Sequence, residues 1–233
     1  MEIKRFTCNY LSENCYVASV GSRGVIVDPG FLEDEVGELY DYLENGASDG
    51  PVVPEAVLLT HSHFDHMLAA KALQDRYDIP VYMHPDEKIT LQLDSKYVAK
   101  ENIRGFQPDF RPTPVTDGQV LCFGMQFRVI STPGHTPGGV CYYEEKAGVL
   151  FSGDTLFAGT IGRTDLEYGD YDSLIRSIME KLILLPGGTE VYPGHGRPTT
   201  IASERVNNPF LEPFNEEPED FDPDDVEPVI IHG

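Results

Sequence analysis

Four candidate metal ligands lie within one stretch of six residues, His61-Ser62-His63-Phe64-Asp65-His66. The apolar run just before it predicts a buried strand, and the pattern just after it predicts a helix. Imidazole nitrogen and carboxylate oxygen are ordinary ligands of zinc and of other first-row divalent metals. Because side chains two residues apart in an extended chain point to the same side, His61 and His63 are expected to act as one pair. Asp65 and His66 follow across the turn, so the stretch can offer a second pair to a second metal.

Three more candidate ligands follow far downstream, each in a glycine-rich turn after an apolar strand. They are His135 in Thr132-Pro133-Gly134-His135-Thr136-Pro137-Gly138, Asp154 in Phe151-Ser152-Gly153-Asp154-Thr155, and His195 in Tyr192-Pro193-Gly194-His195-Gly196. Glycine permits tight turns and close approach of the backbone. Alone, each would more often be an ordinary loop residue. Their repetition, together with the first cluster, predicts that all of them meet at one rim of the fold.

Apolar patterning predicts two groups of strands, each mixed with helices. The first group has strands near 2–7, 14–20, 24–28, 57–59 and 80–83, with helices at 33–44 and 66–77. A helix near 86–99 and a proline-rich loop separate it from the second group. That second group has strands near 120–123, 127–130, 140–143, 149–151 and 189–192, with helices at 171–185 and 200–206. This pattern predicts an α/β (α+β) fold in which two sheets pack face to face with helices outside.

The charge of the chain restricts its partners. Its 233 residues include 17 Lys and Arg against 39 Asp and Glu, which gives a net charge of −22. Such a surface repels phosphate backbones and anionic lipid, so neither nucleic acid nor a membrane is expected as a partner. The four cysteines form no Cys-x-x-Cys pair, and the N-terminal residues do not resemble a secretory signal. We therefore expect a cytoplasmic protein, monomer or homodimer, that acts on a small molecule.

The C-terminal residues differ from the rest of the chain. Residues 212–227 hold nine acidic residues and no Lys or Arg, and prolines recur throughout the segment. Such a composition buries too little apolar surface to offset the entropy of ordering. We predict a catalytic domain over residues 1–209 and an acidic, proline-rich tail over 210–233, either extended or draped over the domain.

The stretch 61–66 and the turns of His135, Asp154 and His195 form four motifs. In the order in which they occur in the chain, these motifs resemble those of the metallo-β-lactamase superfamily. Within it, residues 1–209 most resemble the glyoxalase II (hydroxyacylglutathione hydrolase) branch, in its short bacterial form that lacks a C-terminal helical domain. The resemblance implies a four-layer αββα sandwich that holds two metal ions. It also implies a ligand set: His61, His63 and His135 on the first metal, Asp65, His66 and His195 on the second, and Asp154 bridging them. Asp28, in Val27-Asp28-Pro29-Gly30, would orient a loop or a histidine behind the ligands.

The activity that the resemblance implies is hydrolysis of a small thioester. Two divalent ions ~3.5–4 Å apart, with zinc expected and iron or manganese as alternatives, can share a bridging hydroxide that attacks the carbonyl. Asp65 and Asp154 are the expected catalytic residues. Asp154 would bridge the two metals, and Asp65 can also orient that hydroxide. No general acid is needed, because the conjugate acid of the leaving thiolate has a pKa of only about 8.5.

Arg163 is the candidate substrate-binding residue. It stands in Gly162-Arg163-Thr164-Asp165, where the long enzymes of the branch usually carry a lysine that contacts the substrate. It could grip a carboxylate in a bidentate way or serve as a structural ion-pair partner. The carrier thiol stays open as well, because the C-terminal residues are acidic where the long enzymes supply cationic contacts to glutathione.

One alternative activity on the same fold stays open. Persulfide dioxygenases also carry Gly-Arg-Thr-Asp after the aspartate motif and use a single iron held by two histidines and one aspartate. His61, His135 and Asp154 could supply that set. A secreted lactamase would need a signal peptide, which this sequence does not show. An RNA-processing nuclease would need a basic groove, which the net charge opposes. A scaffold without activity would usually have lost ligands, and here all seven positions keep the expected residue type.

Overall fold

The computed structural model describes residues 1–46, 50–101, 103 and 109–214. Its first six strands form one sheet in chain order: β1 Glu2–Cys8, β2 Glu13–Val20, β3 Arg23–Val27, β4 Val53–Leu58, β5 Val81–Met83 and β6 Pro112–Pro114. The strands β1, β2 and β3 are antiparallel, and from β3 to β6 the pairing is parallel. Parallel neighbours need crossover connections, and the helices over the first sheet lie in these crossovers.

The second sheet has the spatial order β14-β13-β10-β9-β8-β7. Its strands are β7 Val120–Cys122, β8 Gln126–Ser131, β9 Val140–Glu144, β10 Val149–Gly153, β13 Glu190–Pro193 and β14 Thr199–Thr200. A small hairpin, β11 Leu156–Phe157 and β12 Thr160–Ile161, follows β10. Strands β8 and β10 are both antiparallel to β9, and β13 is parallel to β10. Therefore β8, β10 and β13 all end at the same edge of the sheet.

Helices cover the outer faces of both sheets. They are α1 Gly37–Asp41, α2 Phe64–Met67, α3 Ala70–Tyr77, α4 Lys88–Glu101, α5 Tyr171–Ser177 and α6 Ile201–Asn207. Short turns of other helical type extend them: Tyr42–Gly46 after α1, Pro85–Glu87 before α4, Ile178–Leu182 after α5 and Pro209–Phe214 after α6.

Three apolar layers confirm the predicted αββα sandwich. Strand β2 is buried on both faces, with alternate side chains in different layers. Tyr16 joins the layer between the two sheets, where Phe151 of β10 meets it with ring centroids 5.3 Å apart. Val17 faces the other way, into the layer that also contains Leu73 of α3. The third layer packs Leu174 of α5 against the second sheet.

Several predicted elements differ in extent from those observed. The helix predicted over 66–77 is two helices, because Ala69 leaves helical geometry and its amide donates to the Pro29 carbonyl (2.9 Å). The proline-rich loop predicted after α4 contains the edge strand β6, where proline is tolerated because one side of the strand has no partner. Pro108 of that loop lies outside the described residues.

The proposed boundary between domain and tail lies within a short helical turn. The turn Pro209–Phe214 spans the predicted boundary between residues 209 and 210, and Leu211 is buried in the third apolar layer. Residues 215–233 lie outside the described residues, so the division into domain and tail stays a prediction. Within the described part of the chain, no helix combines the length and the apolar character that crossing a bilayer requires.

The fold places the ligand-bearing turns at one rim. The first cluster begins shortly after β4 ends, and the turns with His135, Asp154 and His195 follow β8, β10 and β13. Both sheets therefore contribute ligands to the same place, as the sequence predicted.

Candidate metal centre

The first group of candidate ligands is His61, His63 and His135. One nitrogen from each ring lies within 4.8 Å of the other two. His135 Nε2 is 3.0 Å from His63 Nδ1, a separation that a shared proton or a shared cation can bridge. The backbone carbonyl of Arg163 accepts from His135 Nδ1 at 2.7 Å, so the other ring nitrogen, Nε2, is free to face the centre.

The second group is Asp65, His66 and His195, again within 4.8 Å of one another. Asp65 Oδ2 lies 3.4 Å from His195 Nε2 and 3.8 Å from His66 Nε2. Asp65 and His66 belong to α2, which begins directly after His63. The short helix places these two side chains beside the first group, with the ring centroids of His66 and His61 4.1 Å apart. His195 approaches from the second sheet to complete the set.

Asp154 lies between the two groups. Its Oδ1 is 3.5 Å from His66 Nε2, and its Oδ2 is 3.6 Å from His135 Nε2 and 3.8 Å from His195 Nε2. One carboxylate therefore contacts members of both groups. All seven side chains predicted to be ligands thus lie close together, and the bridging role that the resemblance implies for Asp154 stays a prediction.

The donor atoms fit divalent metal. His61 Nε2, His66 Nε2 and Asp154 Oδ1 are buried and have no hydrogen-bond partner among the described residues. Buried polar atoms are nearly always satisfied, and an ion is one of the recognised reasons for an exception. Since all three unpartnered atoms converge on one rim and are all ordinary metal ligands, a cation accounts for them together.

Charge at the centre is unevenly distributed. Burial, together with the neighbouring His135, lowers the pKa of His63 to about 3, which keeps the ring neutral as a metal ligand must be. Burial opposes charge on His66 too, but the carboxylates of Asp154 and Asp65 outweigh it and raise its pKa to about 10. The second group thus holds excess negative charge that favours a cation.

Asp28 orients two of the ligands from behind. Its carboxylate accepts from the backbone amide of Thr60 (2.7 Å) and from the Thr60 hydroxyl (2.6 Å), and His66 Nδ1 lies 3.1 Å from it. Because the Thr60 hydroxyl donates to Asp28, its oxygen accepts from His61 Nδ1 at 3.0 Å. Both rings therefore carry their proton on Nδ1 and present Nε2. Asp28 itself has a φ of 48°, an unusual value for a residue with a side chain.

Glu87 joins the two turns that carry the first group. Its Oε2 accepts from the amide and the hydroxyl of Ser62, both at 2.7 Å, and its Oε1 accepts from the Gly138 amide at 2.9 Å. The side chain is completely buried. Ser62 stands between His61 and His63, and Gly138 closes the turn of His135. No motif near Glu87 in the chain marks this role, so it could not be predicted from the sequence.

The His195 turn is held against the first sheet. Asn14 donates its amide hydrogens to the carbonyls of Pro193 (3.1 Å) and Gly196 (2.9 Å), and its backbone amide donates to Gly194 (2.7 Å). Gly194 must lack a side chain, because a Cβ there would lie 2.3 Å from Asp154 Oδ1. The neighbouring Glu13 is fully buried, and neither of its carboxylate oxygens has a hydrogen-bond partner among the described residues, although His66 Nδ1 lies 3.8 Å from Oε1. Burial raises the pKa of Glu13 well above the usual value.

Arg163, the predicted substrate-binding residue, is exposed and already paired. Its guanidinium donates to both carboxylate oxygens of Asp165, at 2.7 and 2.9 Å. Only its backbone carbonyl contacts the metal centre, through His135. The structural ion pair is therefore present, and a role for Arg163 in binding substrate stays a prediction.

Comparison with known proteins defines the class. The family described as "Metallo-beta-lactamase superfamily" matches residues 9–195. The probable metallo-hydrolase YqgX of Bacillus subtilis is 36% identical over 92% of this chain and 100% of its own. The hydroxyacylglutathione hydrolase GloC of Haemophilus influenzae is 32% identical over 91% of this chain and 98% of its own.

Solved structures agree. The BLEG-1 B3 metallo-beta-lactamase superposes with a TM-score of 0.80 at 38% identity, covering 90% of this chain and 99% of its own. TTHA1623, solved in a di-iron-bound form, has a TM-score of 0.78 at 36% identity, covering 89% and 100%. ETHE1 from Myxococcus xanthus has a TM-score of 0.71 at 26% identity, covering 90% and 84%. The chain belongs to the metallo-beta-lactamase superfamily, and its clustered His and Asp side chains are suited to divalent metal.

Proposed function

We propose that this protein is a dinuclear metal-dependent hydrolase that cleaves a small thioester, in the manner of glyoxalase II. The observation that carries the proposal is the position of Asp154, which contacts both groups of ligands. Two complete groups that share a carboxylate suit two metals rather than one. The similarity to GloC supports the glyoxalase II-like chemistry, and the di-iron form of TTHA1623 supports a site for two ions.

The seven candidate ligands would form two metal sites. The first metal would be held by His61, His63 and His135, the second by Asp65, His66 and His195, and Asp154 would be shared. When bound, divalent ions supply Lewis-acid chemistry, since they make water a better nucleophile at neutral pH and polarise a carbonyl. Zinc suits this donor set, and so do iron and manganese.

The side chains around the ions set the geometry of the reaction. Asp28 and the Arg163 carbonyl hold the Nδ1 protons of His66 and His135, so these rings cannot turn. Asp65 is the carboxylate placed to orient the attacking water, because only one of its oxygens is engaged by His195. No side chain has to protonate the leaving group, since a thiolate with a conjugate-acid pKa of about 8.5 leaves without help.

A thioesterase assay tests the proposal. Metal-loaded protein is expected to release thiol from S-lactoyl thioesters, slowly when the carrier is glutathione. His63→Ala removes a ligand of the first metal and should lower both activity and metal content, with activity falling by at least roughly a hundredfold. Survival of both in that variant would contradict the proposal.

The alternative is a mononuclear iron persulfide dioxygenase. The similarity to ETHE1 gives it weight, and His135 and Asp154 lie 3.6 Å apart, within reach of one metal. Oxygen uptake with glutathione persulfide separates the two functions. A hydrolase consumes no oxygen, whereas uptake that matches persulfide consumed would favour the dioxygenase.

A further inference from the structure

An aromatic surface borders the metal centre on the side of α2. The ring of Phe64, between His63 and Asp65, lies 6.4 Å from the ring of Tyr10 and 5.6 Å from that of Tyr97. Tyr10 is 61% exposed and Tyr97 48% exposed, so both rings offer a free face to a ligand. We call Tyr10, Phe64 and Tyr97 the aromatic wall.

The aromatic wall is fixed to the ligand stretch rather than merely near it. The side chain of Asn9, next to Tyr10, donates to the backbone carbonyl of Asp65 (3.0 Å) and to that of Gly30 (2.9 Å). From the other side, the carboxylate of Asp94 in α4 accepts from the Phe64 amide at 2.6 Å. These hydrogen bonds tie the backbone beside Tyr10 and that of Phe64 to the stretch that carries the candidate ligands.

The space beside the wall is apolar with an acidic edge. A cleft of about 440 Å³ adjoins Tyr10, and its described lining consists of Tyr10, Leu32, Glu33, Asp34 and Ile103. Leu32 and Ile103 pack against the same small apolar cluster as Phe64. The two acidic side chains are exposed. This lining attracts apolar or uncharged groups and repels carboxylates.

The guanidinium of Arg163 is neutralised by an ion pair. The Arg163 carbonyl contacts His135, whose other nitrogen meets His63, so the backbone of Arg163 and Phe64, which follows His63, adjoin the same pair of candidate ligands. Asp165 occupies both arms of the Arg163 guanidinium. A bidentate fork of this kind is the geometry by which arginine recognises a carboxylate. A substrate carboxylate would therefore meet a guanidinium whose charge Asp165 already balances and whose Nε and Nη2 already donate to Asp165.

We propose that Asp165 and the aromatic wall select thioesters whose thiol carrier bears no net negative charge. This inference rests on the proposed thioesterase function and names its substrate class. Tyr10 and Tyr97 would contact the carrier directly. Asp165 is a specificity-determining residue that acts through Arg163: its charge offsets that of the guanidinium, which therefore attracts an anionic carrier such as glutathione only weakly.

Two matched substrates test the selection. S-lactoylglutathione and its diethyl ester differ at the two carrier carboxylates, which the ester caps with ethyl groups and leaves uncharged. We expect the diethyl ester to have a kcat/KM about tenfold higher, a factor that corresponds to about 1.4 kcal/mol. A kcat/KM that is equal for both, or higher for the free acid, would overturn the inference while leaving the thioesterase function intact. Cleavage of neither ester would overturn the proposed function itself.

Asp165→Asn tests the role of the ion pair. Removing this charge should free Arg163, raise kcat/KM for the free acid by about fivefold and leave the diethyl ester unchanged, as expected for an exposed ion pair. The control is Glu44→Gln, which breaks a comparable exposed pair with Arg76 near the opposite end of the first sheet. An unchanged substrate ratio in Asp165→Asn, or the same change in Glu44→Gln, would refute the role of Asp165.

Tyr97→Ala tests the aromatic wall. It should raise KM for the diethyl ester by about threefold to tenfold with kcat little changed, because a stacked ring contributes to binding more than to the chemical step. Tyr40→Ala serves as the control, since Tyr40 packs on Tyr77 on the outer helices. Equal effects of the two substitutions, or an unchanged KM in Tyr97→Ala, would rule out the wall as a carrier site.

Discussion

Two buried carboxylates, those of Asp28 and Glu87, hold the candidate metal ligands in place. Asp28 fixes the protonated nitrogens of His61 and His66, the first through Thr60. Glu87 fixes the backbone on either side of the first group instead, through Ser62 and Gly138. Groups that orient ligands from behind typically change metal affinity by about ten- to a hundredfold when they are removed.

Glu87→Gln is expected to weaken the first metal selectively. The glutamine can accept from Ser62 or from Gly138 but not from both, so one buried backbone amide loses its partner. The turn that carries His61 and His63, or the one that carries His135, should then shift. We expect affinity for one of the two metals to fall by about ten- to a hundredfold, as measured by competition with a chromophoric chelator.

Glu144→Gln is the matched control for that change. Glu144 is also buried and also accepts from two backbone amides, those of Gln126 and Ala147, but it lies in β9, away from the ligand turns. This variant should bind both metals with unchanged affinity. Equal loss of metal affinity in the two variants would show that Glu87 supports only the general stability of the fold.

At the scale of elements, the turn between β8 and His135 depends on one glycine. Gly134 has a φ of 140°, and a Cβ there would lie 2.3 Å from the backbone nitrogen of Leu174. Its carbonyl also accepts from the Asp170 amide at 2.7 Å, at the start of α5. The helix therefore packs directly on the turn and fixes where His135 points.

Gly134→Ala should displace the His135 turn. The new methyl group would overlap the backbone of α5, so either the helix or the turn must shift. Overpacking of this kind typically costs about 1–3 kcal/mol. We expect a lower midpoint of urea unfolding and loss of roughly one metal per chain. The control is Gly188→Ala, where a Cβ meets nothing within 4 Å. Full metal content in Gly134→Ala would contradict this view of the turn.

Asp94 links α4 to the start of α2 and should make stability depend on pH. Burial raises the pKa of Asp94 to about 7, although its bond from the Phe64 amide opposes the rise. The folded state therefore holds this proton more tightly than the unfolded state. Stability from this group is present below its unfolded pKa of 3.8 and is lost as pH rises toward 7.

The difference between the wild type and Asp94→Asn isolates this contribution. In chelator-treated protein, the free energy of unfolding of the wild type should fall relative to that of the variant between pH 4 and pH 7. The difference should reach up to about 4 kcal/mol before solvent screening reduces it. Parallel pH profiles for the two proteins would show that the Asp94 pKa is not raised by folding.

At the scale of the whole molecule, the metal centre joins the two sheets. His61, His63, Asp65 and His66 follow a strand of the first sheet, and His135, Asp154 and His195 follow strands of the second. Ions bound there would cross-link the two halves of the sandwich. Metal that binds only the folded state adds about 4 kcal/mol of stability when its free concentration is a thousand times Kd.

Chelation should therefore lower the thermal midpoint substantially. For a chain of this length, each kcal/mol corresponds to about 2–4 °C, so removal of metal should lower Tm by about 8–16 °C. Adding back zinc should restore it. The control is the His63→Ala variant, whose Tm should respond less to the chelator. Elemental analysis should first verify that the metal has been removed. If Tm is then unchanged, the cross-linking role is contradicted.

The sequence predicted the layers and the ligand set because both have local signatures. Apolar runs, the cluster at residues 61–66 and the glycine-rich turns of His135, Asp154 and His195 are all read directly from consecutive residues. The contacts that have no local signature could not be predicted. Glu87 reaches Ser62 across 25 residues, the break at Ala69 depends on Pro29, and the small hairpin β11–β12 has only two residues in each strand.

The number of metal ions per chain tests the central claim most directly. Protein purified without added metal, then loaded with zinc or iron and freed of excess, should contain two ions per chain by elemental mass spectrometry. Asp154→Asn should reduce this number, since Asp154 contacts both groups of ligands. A single tightly held iron per chain, unchanged when more metal is offered, would contradict the dinuclear hydrolase and favour the dioxygenase.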